Sequence, residues 1–327
     1  MSWPRWCAVP ARERPSPRSR RLRRGRGGRG LSLIELMVGI AIGLALVVVV
    51  LRGYAATSRA ANLNSLVSEY QTNGRHALEV LRREIRHAAL SPLLWDGSQL
   101  TLSSAVANRN FGCGLGVNTS LMDAGLAARD DANPYVSTCL APGADREYLR
   151  GDVLSLRRLS NRPVTAFLAN APYVRVSYGA GRMFLGGETP DALPAPAYDH
   201  ALETGIYFVN TFTERADEAP RVPALYRLRL SDGANPTMVP ELVASNIEHL
   251  QVQFTVDQGN GTLKVVDPGG VTDWRNVVSA RLWVLVRASA PEPGYQSGSY
   301  RLGNTVYTPV DGFRRAVLAS TVHLRNP

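Results

Sequence analysis

The most informative stretch of this chain is Gly30-Leu31-Ser32-Leu33-Ile34-Glu35, which is followed by an apolar run over residues 36–51. Between residues 31 and 51 the single charged side chain is that of Glu35. About 20 apolar residues are enough for a helix to cross the hydrocarbon core of a bilayer. The run therefore predicts a membrane-spanning helix over residues 31–52. The carboxylate of Glu35, at the beginning of this helix, requires an explanation because a charge inside a membrane is costly.

Nearly all of the net charge of the chain lies before this run. Residues 1–30 hold ten arginines and one acid, so they carry +9 of the net +10 and leave +1 for residues 31–327. A nucleic-acid-binding protein needs basic residues clustered on its folded domain. The charge distribution therefore predicts no nucleic-acid partner. It is typical of the cytoplasmic flank of a membrane span, as the positive-inside rule describes.

The position of Gly30 distinguishes this N-terminus from an ordinary secretory signal. In such a signal, a cleavage site follows a shorter apolar region. Here Gly30 precedes the apolar run, and Gly30-Leu31-Ser32-Leu33-Ile34-Glu35-Leu36 resembles the class III signal of type IV pilins and pseudopilins. The resemblance implies that a prepilin peptidase/methyltransferase cuts after Gly30, removes residues 1–30 and methylates the new N-terminus at Leu31. The chain departs from the family at Leu31, where phenylalanine is usual, and in its long leader.

Glu35 is the family's glutamate by the same resemblance, the fifth residue of the mature chain. Pilins pack their N-terminal helices into the core of the filament. The resemblance implies that Glu35 there meets the positive N-terminal amine of a neighbouring subunit and sets the register between the two. The alternative is an acid tolerated at the edge of the membrane, where its side chain reaches the interface.

The sequence after the span predicts an amphipathic helix over residues 53–91. Residues 55–90 contain no proline, and the apolar side chains recur at the 3–4 spacing of one helical face, at Leu63, Leu66, Val67, Tyr70, Ala77, Leu78, Leu81, Ile85 and Ala88. Charged side chains mostly take the other positions, at Glu69, Arg75, Glu79, Arg82, Arg83 and Glu84. Gly74 interrupts the stripe and permits a bend, and Ser91-Pro92 is expected to end the helix.

Two of the three cysteines lie in the part that would be exported. Cys7 belongs to the leader, whereas Cys113 and Cys139 form an even pair, and a disulfide between them suits an oxidising compartment such as the periplasm. The disulfide would close a loop of about 26 residues and stabilise the fold by roughly 3 kcal/mol. A metal site is the weaker alternative, because two thiols without a nearby histidine make a poor set of ligands.

The exported part is predicted to be loop-rich over residues 92–150 and β-rich over residues 151–327. Alternation of apolar and polar residues predicts strands at 153–159, 173–178, 206–212, 224–230, 250–256, 276–287 and 314–324. Residues 241–253 fit either a helix or a strand. Gly259-Asn260-Gly261 predicts a hairpin turn.

Further segments are similar to the PilW family of minor type IV pilins. They are Asn73-Gly74-Arg75-His76-Ala77-Leu78 and Leu81-Arg82-Arg83-Glu84-Ile85-Arg86 in the helix, and Phe111-Gly112-Cys113, Asn246-Ile247-Glu248-His249-Leu250-Gln251-Val252-Gln253-Phe254, the residues around Trp274 and the C-terminal residues 314–326 in the domain. The resemblance implies an α+β fold of the pilin-like lollipop type. Its long N-terminal α-helix has a membrane or filament-core half and an amphipathic half that packs on an antiparallel β-sheet domain.

Partners and location follow from the resemblance as well. It implies contacts with the prepilin peptidase, with other minor and major pilins, with the inner-membrane assembly platform and, before assembly, with membrane lipid. The chain would be a single-pass inner-membrane protein with a periplasmic C-terminal domain, and it would lie in the pilus, at its tip, after assembly.

The sequence contains no constellation of residues that is typical of catalysis. The five histidines are scattered, and neither H-E-x-x-H nor C-x-x-C occurs. Asp191, Asp199 and Glu203 lack the close spacing of a calcium loop. The sequence therefore predicts a non-enzymatic structural protein without catalytic residues, cofactor or metal.

The sequence thus predicts a minor type IV pilin that initiates or primes the pilus. One alternative is a minor pseudopilin of a type II secretion system, which shares the anchor and the fold. An alternative of another class is a membrane-anchored periplasmic binding module whose anchor stays uncleaved.

Overall fold

The computed structural model describes residues 32–88, 100–107, 109, 125–140 and 146–324. The chain divides into two compact units, residues 1–59 and residues 60–327. In its described part, the first unit consists of the beginning of one long helix. The second unit holds the remainder of that helix together with the β-sheets.

Helix α1 covers Leu33–Arg86 without interruption. Its 54 residues contain no proline, and the basic residues of its last turn, Arg83 and Arg86, interact favourably with the negative end of the helix dipole. The helix passes through Gly74 as a regular helix. It ends at Arg86, five residues before the predicted end at residue 91, and the predicted stop at Ser91-Pro92 lies outside the described residues.

The predicted apolar stripe is the buried face of the second half of α1. The buried residues are Tyr70, Gly74, Ala77, Leu78, Leu81, Glu84 and Ile85. Two of them differ from the prediction. Gly74 is a point of close packing instead of a gap in the stripe, and Glu84 is buried although its charge assigned it to the solvent side.

The larger sheet has eight strands. They are β1 (Leu100–Leu102), β2 (Leu126–Arg129), β3 (Val153–Leu159), β4 (Pro172–Ser177), β5 (Ala180–Leu185), β6 (Tyr198–Asn210), β7 (Ala224–Leu230) and β8 (Met238–Ser245). Six follow the order β1-β5-β4-β6-β3-β2, while β7 pairs with β6 and β8. The pairing of β1 with β5 is parallel, and the other pairings are antiparallel. The short helix α2 (Ser104–Ala107) follows β1.

Strand β6 connects the parts of this sheet because it is 13 residues long. Its residues 198–201 pair with β4, residues 202–207 pair with β3, and residues 205–210 pair with β7. A strand of this length can therefore pair with three other strands.

The smaller sheet has four antiparallel strands in the order β10-β9-β11-β14. They are β9 (Ile247–Asp257), β10 (Leu263–Val266), β11 (Val277–Arg287) and β14 (Arg315–His323). A hairpin of β12 (Tyr300–Leu302) and β13 (Thr305–Tyr307) packs on its outer face, where Trp283 and Leu285 of β11 contact Leu302. Two 3₁₀ turns, Pro268–Gly270 and Trp274–Asn276, lie between β10 and β11.

Asn246 joins the two sheets, because it separates β8 from β9 with a φ of 67°. Asparagine tolerates this left-handed conformation better than most residues. The junction is held against the helix, since Asn73 Nδ2 of α1 donates hydrogen bonds to Ser245 Oγ and Asn246 Oδ1, both at 2.9 Å. Asn246 Nδ2 donates in turn to the carbonyl of Arg287 at 3.1 Å.

The main hydrophobic core combines α1 with both sheets. It includes Leu81 and Ile85 of the helix, Leu156 of the larger sheet, and Leu250 and Val284 of the smaller sheet. Burial of a leucine-sized side chain contributes about 1.5–3 kcal/mol, so the many buried side chains of this core stabilise the unit strongly. The predicted α+β fold class, one long apolar N-terminal helix and a large antiparallel-rich β domain, is confirmed.

Several predicted strands match the structure closely, namely β3, β4, β7, β11 and β14. Residues 241–253, which fitted either a helix or a strand, form parts of β8 and β9. The first half of β6 and the first three residues of β8 were missed, and so were β1, β2, β5, β10, β12 and β13. Strands β1 and β2 lie in residues 92–150, which were predicted to be loop-rich, and β10 lies in a part without a predicted strand. All three have only three or four residues, which is too short to display a period of two.

Candidate anchoring and assembly site

The first half of α1 is apolar on every side and is exposed along its whole length. Each described residue from 32 to 60 is exposed. The helix contains an 18-residue stretch that is long and apolar enough to cross a membrane, and none of it is buried within the chain. A helix that is hydrophobic all round needs an apolar environment. The N-terminal apolar helix is therefore compatible with a membrane anchor.

The beginning of this helix is a capping box formed by Ser32 and Glu35. The backbone N–H of Ser32 donates to Glu35 Oε2 at 3.0 Å, and the backbone N–H of Glu35 donates to Ser32 Oγ at 3.2 Å. The carbonyl of Ser32 accepts the first helical hydrogen bond, from the N–H of Leu36, at 3.2 Å. The two side chains thus satisfy N–H groups that have no partner inside a helix.

This role of Glu35 was not predicted, although the sequence carries its signal. A serine followed three residues later by a glutamate, before an apolar run, is the pattern of a capping box. The acid also lies in the first turn, where the positive end of the helix dipole favours a carboxylate. Within one chain Glu35 therefore has a local partner, which lowers the cost of keeping an acid at the beginning of an apolar helix.

The other residues predicted at this end, Gly30 and Leu31, lie outside the described residues, so cleavage and methylation between them stay predictions. Cys113 is outside them too. Cys139 is half-buried beside Leu140 in the segment that follows β2. The Cys113–Cys139 disulfide therefore stays a prediction.

A second set of polar side chains fastens α1 to the larger sheet. Glu84 of the helix is 8% exposed, and its Oε2 lies 3.4 Å from Nη1 of Arg158 on β3. Nε of Arg158 also donates to Glu203 Oε2 of β6 at 2.7 Å. Glu84 thus acts as an electrostatic contact between the helix and the sheet, and its charge is neutralised where burial would otherwise be costly.

Among the residues that the structure describes, Asp152 is the carboxyl group whose pKa is raised most. It is fully buried just before β3, and burial raises its pKa to about 8 even though two backbone N–H groups, those of Asp131 and Val252, donate to it. Nε2 of Gln251 also approaches it at 3.4 Å. These contacts link the segment before β3 to β9 and to the segment that follows β2.

The acids considered for calcium binding do not meet in the structure, because each pairs with a different arginine. Asp191 pairs with Arg182 at 3.0 Å, Asp199 with Arg175 at 2.8 Å, and Glu203 with Arg158 at 2.7 Å. Among the described residues no group of three histidine, cysteine, aspartate or glutamate side chains is arranged to hold a metal ion. These acids therefore act as ion-pair partners on the surface of the larger sheet.

The C-terminal part of the chain is similar to a known protein family. Residues 206–326 match the family model described as PilW, Type IV Pilus-assembly protein W. The matched region begins in the second half of β6 and extends through β14. It includes residues 246–254 and 314–326, on which the resemblance was based. The resemblance to the PilW family is thus confirmed, and it supports a pilus-related structural protein.

No curated protein matches the chain. Among solved structures, the type IV-like pilin TTHA1219 from Thermus thermophilus is similar, with 15% sequence identity and a TM-score of 0.33. The similarity covers 81% of this chain and 97% of that pilin.

Proposed function

We propose that this chain is a minor type IV pilin that takes part in initiating the pilus, in a priming or tip complex, and that its role is structural. The observation that carries the proposal is that one chain combines two features. They are a PilW match over residues 206–326 and an exposed apolar helix that starts at the Ser32–Glu35 capping box. An apolar helix that its own chain leaves uncovered needs either lipid or other helices around it, and a pilin uses the two in turn.

Processing is the first step of the proposed function. Prepilin peptidase would cut between Gly30 and Leu31, and the +9 charge of residues 1–30 would leave with the leader. The mature chain would start one residue before the N-cap Ser32, so that its methylated amine lies beside the first turn of α1. The helix would then hold the chain in the inner membrane, with the C-terminal domain in the periplasm, until the assembly platform transfers it to the filament.

Glu35 carries the proposed assembly step. In the filament its carboxylate would pair with the N-terminal amine of a neighbouring subunit, so that two charges are neutralised together in the apolar core. The capping box supports this proposal because it fixes the carboxylate at the very beginning of the helix. The second carboxylate oxygen, Oε1, is left for an external donor, since Oε2 accepts the Ser32 N–H.

Three variants separate the charge of Glu35 from its capping role. Glu35→Gln keeps an oxygen that can accept the Ser32 N–H but has no charge, so it should reduce incorporation into pili about as strongly as Glu35→Ala. Ser32→Ala removes the side-chain cap, worth about 0.5–2 kcal/mol, and keeps the carboxylate. It should leave most of the incorporation intact. The readout is the amount of the chain in sheared pili relative to the amount in membranes. Normal incorporation of Glu35→Gln would contradict the pairing role.

A deletion tests the proposed system. Removal of the gene should abolish or strongly reduce surface pili and twitching motility while secretion of exoproteins continues, and the intact gene should restore both. Loss of exoprotein secretion with normal pili would instead support the pseudopilin alternative. Normal pili together with normal secretion would contradict both, and would favour a membrane-anchored binding module.

A further inference from the structure

Arg52 and Arg59 are the first charged side chains that follow the apolar run of α1. No acid occurs between residues 36 and 68, and these two arginines are the sole basic residues there. Both are exposed, and among the residues that the structure describes neither has an ion pair or a side-chain hydrogen bond. Both guanidinium groups are therefore available for an anion, and phosphate and carboxylate are the anions whose geometry a guanidinium matches.

The two arginines leave the helix on the same side. Seven residues of an α-helix make almost two turns, so Arg52 and Arg59 differ by about 20° around the axis and by about 10 Å along it. Ala56 lies between them on this side, and its small side chain leaves room for a ligand. Thr57 and Tyr54 lie on the opposite side of the helix. The two cations therefore form a stripe on one side of α1.

The stripe lies at the level where the hydrocarbon core of a membrane ends. Residues 33–51 span about 28 Å as a helix, close to the ~30 Å of that core. When the first turn of α1 lies at one surface of the core, Arg52 lies at the other surface and Arg59 lies beyond it. Because Cα–Cβ bonds in a helix tilt toward its N-terminus, Arg59 leans back toward the membrane, and its long side chain covers the remaining distance. Tyr54, which is 75% exposed, is typical of the same boundary.

We propose that Arg52 and Arg59 together bind the phosphate group of an anionic phospholipid, in the leaflet on the side of the C-terminal domain. A guanidinium presents paired N–H donors that match the oxygens of a phosphate. Two guanidinium groups outweigh the single charge of a lipid phosphate, which favours an anionic lipid over a zwitterionic lipid whose headgroup carries a positive charge of its own. The contact fixes the depth of α1, because a shift along the helix axis takes both arginines away from the level of the phosphates.

This lipid contact rests on the proposed function, which gives the direction of insertion, and it adds a chemical partner to it. Before cleavage, the +9 charge of residues 1–30 attracts the lipids of the cytoplasmic leaflet, and this attraction ends when the leader is removed. Arg52 and Arg59 are then the basic side chains that remain between residues 31 and 68. In this part of the processed chain, basic side chains therefore attract lipid on the periplasmic side of the membrane alone.

The rival occupant is a carboxylate on the helix of a neighbouring pilin, which also matches a guanidinium. A second copy of this chain offers no such group at the same depth, because its own α1 has no acid between residues 36 and 68. Lipid phosphates, in contrast, surround a helix in the membrane at this level on every side. The observations therefore favour the lipid.

Photo-cross-linking of the full chain in asymmetric vesicles tests this contact. The vesicles consist of phosphatidylcholine, carry the C-terminal domain outside and receive labelled phosphatidylglycerol in the outer leaflet alone, so that the arginines of the leader do not meet it. A photo-reactive amino acid replaces Ala56 in one preparation and Thr57 in another, at almost the same depth on opposite sides of the helix. The labelled lipid should link about fivefold more to position 56 than to position 57, as one arginine near a charged lipid surface predicts.

Arg52→Gln combined with Arg59→Gln should abolish the preference for position 56. Arg75→Gln, at an exposed position further along α1, is the matched control and should leave the preference unchanged. Equal linking at positions 56 and 57, a preference that survives in the double variant, or linking to a second protein chain in place of lipid would overturn the lipid contact. The proposed function is tested separately by incorporation into pili and by motility, so the two can fail independently.

Discussion

Gly74 shows how one residue fixes the distance between α1 and the smaller sheet. A Cβ atom at this position would lie 2.4 Å from Val286 Cγ1 and 2.5 Å from Leu318 Cδ1. Both distances are far shorter than a van der Waals contact. The glycine therefore lets the helix backbone approach β11 and β14 closely, and it belongs to the packing of the core.

This close approach reverses the expected effect of replacing a helical glycine. Gly74→Ala gains up to about 1 kcal/mol of helix propensity, but overpacking of a core costs about 1–3 kcal/mol, so the variant should be less stable. Gly53→Ala is the matched control, because nothing lies within 4 Å of its Cβ position. It should be neutral or slightly stabilising. Thermal unfolding of the full chain in detergent compares the two, and a stabilised Gly74→Ala variant would contradict the packing.

Asp152 should make the stability of the domain depend on pH. Its pKa is about 8 in the folded chain, well above the ordinary value of an aspartate, so the folded state keeps a proton that the unfolded chain releases above about pH 4. Stability therefore falls as the pH rises toward and through 8. From pH 7 to pH 9 the loss should be about 1 kcal/mol.

Urea unfolding at pH 7 and pH 9 measures this dependence. Asp152→Asn should be less sensitive to pH in that window, although it is less stable at pH 7 because one of the two backbone donors loses its acceptor. Asp232→Asn, at an exposed position, should keep the pH dependence of the parent chain. An unchanged slope in Asp152→Asn would assign the titration to another group.

At the scale of elements, the helix and the larger sheet are joined by charge as well as by apolar contact. Glu84 reaches Arg158 from a buried position, whereas Glu79 pairs with Arg82 at 3.0 Å on the exposed side of the same helix. The two acids are five residues apart and have the same chemistry. They differ in burial, so they form a natural comparison.

Glu84→Ala should destabilise the chain more than Glu79→Ala. Breaking a buried pair leaves a charge without its partner and costs up to about 3–5 kcal/mol. We expect about 1–3 kcal/mol here, because Arg158 keeps its contact with Glu203. An exposed pair contributes at most about 1 kcal/mol, so Glu79→Ala should change little. Chemical denaturation of both variants provides the measurement, and equal losses would mean that the buried contact contributes no more than the exposed one.

The elements also show where the sequence is informative. Alternating apolar and polar residues predicted β3, β7 and β11 almost to the residue, because each has a face in the core and enough length to display the period of two. Strands β5 and β8 gave no such signal. β5 begins with Ala180-Gly181, and β8 contains proline and glutamate, which are depleted in strands. Their positions depend on pairing with neighbours, and a local pattern does not contain that information.

The candidate site was likewise predictable from the sequence only in part. The span and the position of Glu35 followed from the sequence. The cap was not predicted, although the serine three residues before Glu35 carries its signal. The burial of Glu84 was not predictable from the helix alone, since its partner Arg158 is 74 residues away and is brought near by β3. Strand order was likewise beyond the sequence, because it depends on contacts such as those of β6 with three strands.

In the molecule as a whole, the two units carry different features. The apolar helix of the first unit leaves its side chains without cover, and the second unit carries the PilW match. The +9 charge of residues 1–30 is useful on the cytoplasmic side of a membrane and has no counterpart in the domain. A pilin that is cut, stored in the membrane and then assembled would use each of these features once.

The mass of the chain recovered from sheared pili tests whether the protein is a processed pilin. We predict a chain of residues 31–327 in the pilus fraction, with one additional methyl group on Leu31, as determined by intact-mass and N-terminal peptide analysis. A chain that stays in the inner membrane with residues 1–30 attached, in cells whose prepilin peptidase processes other pilins, would contradict it.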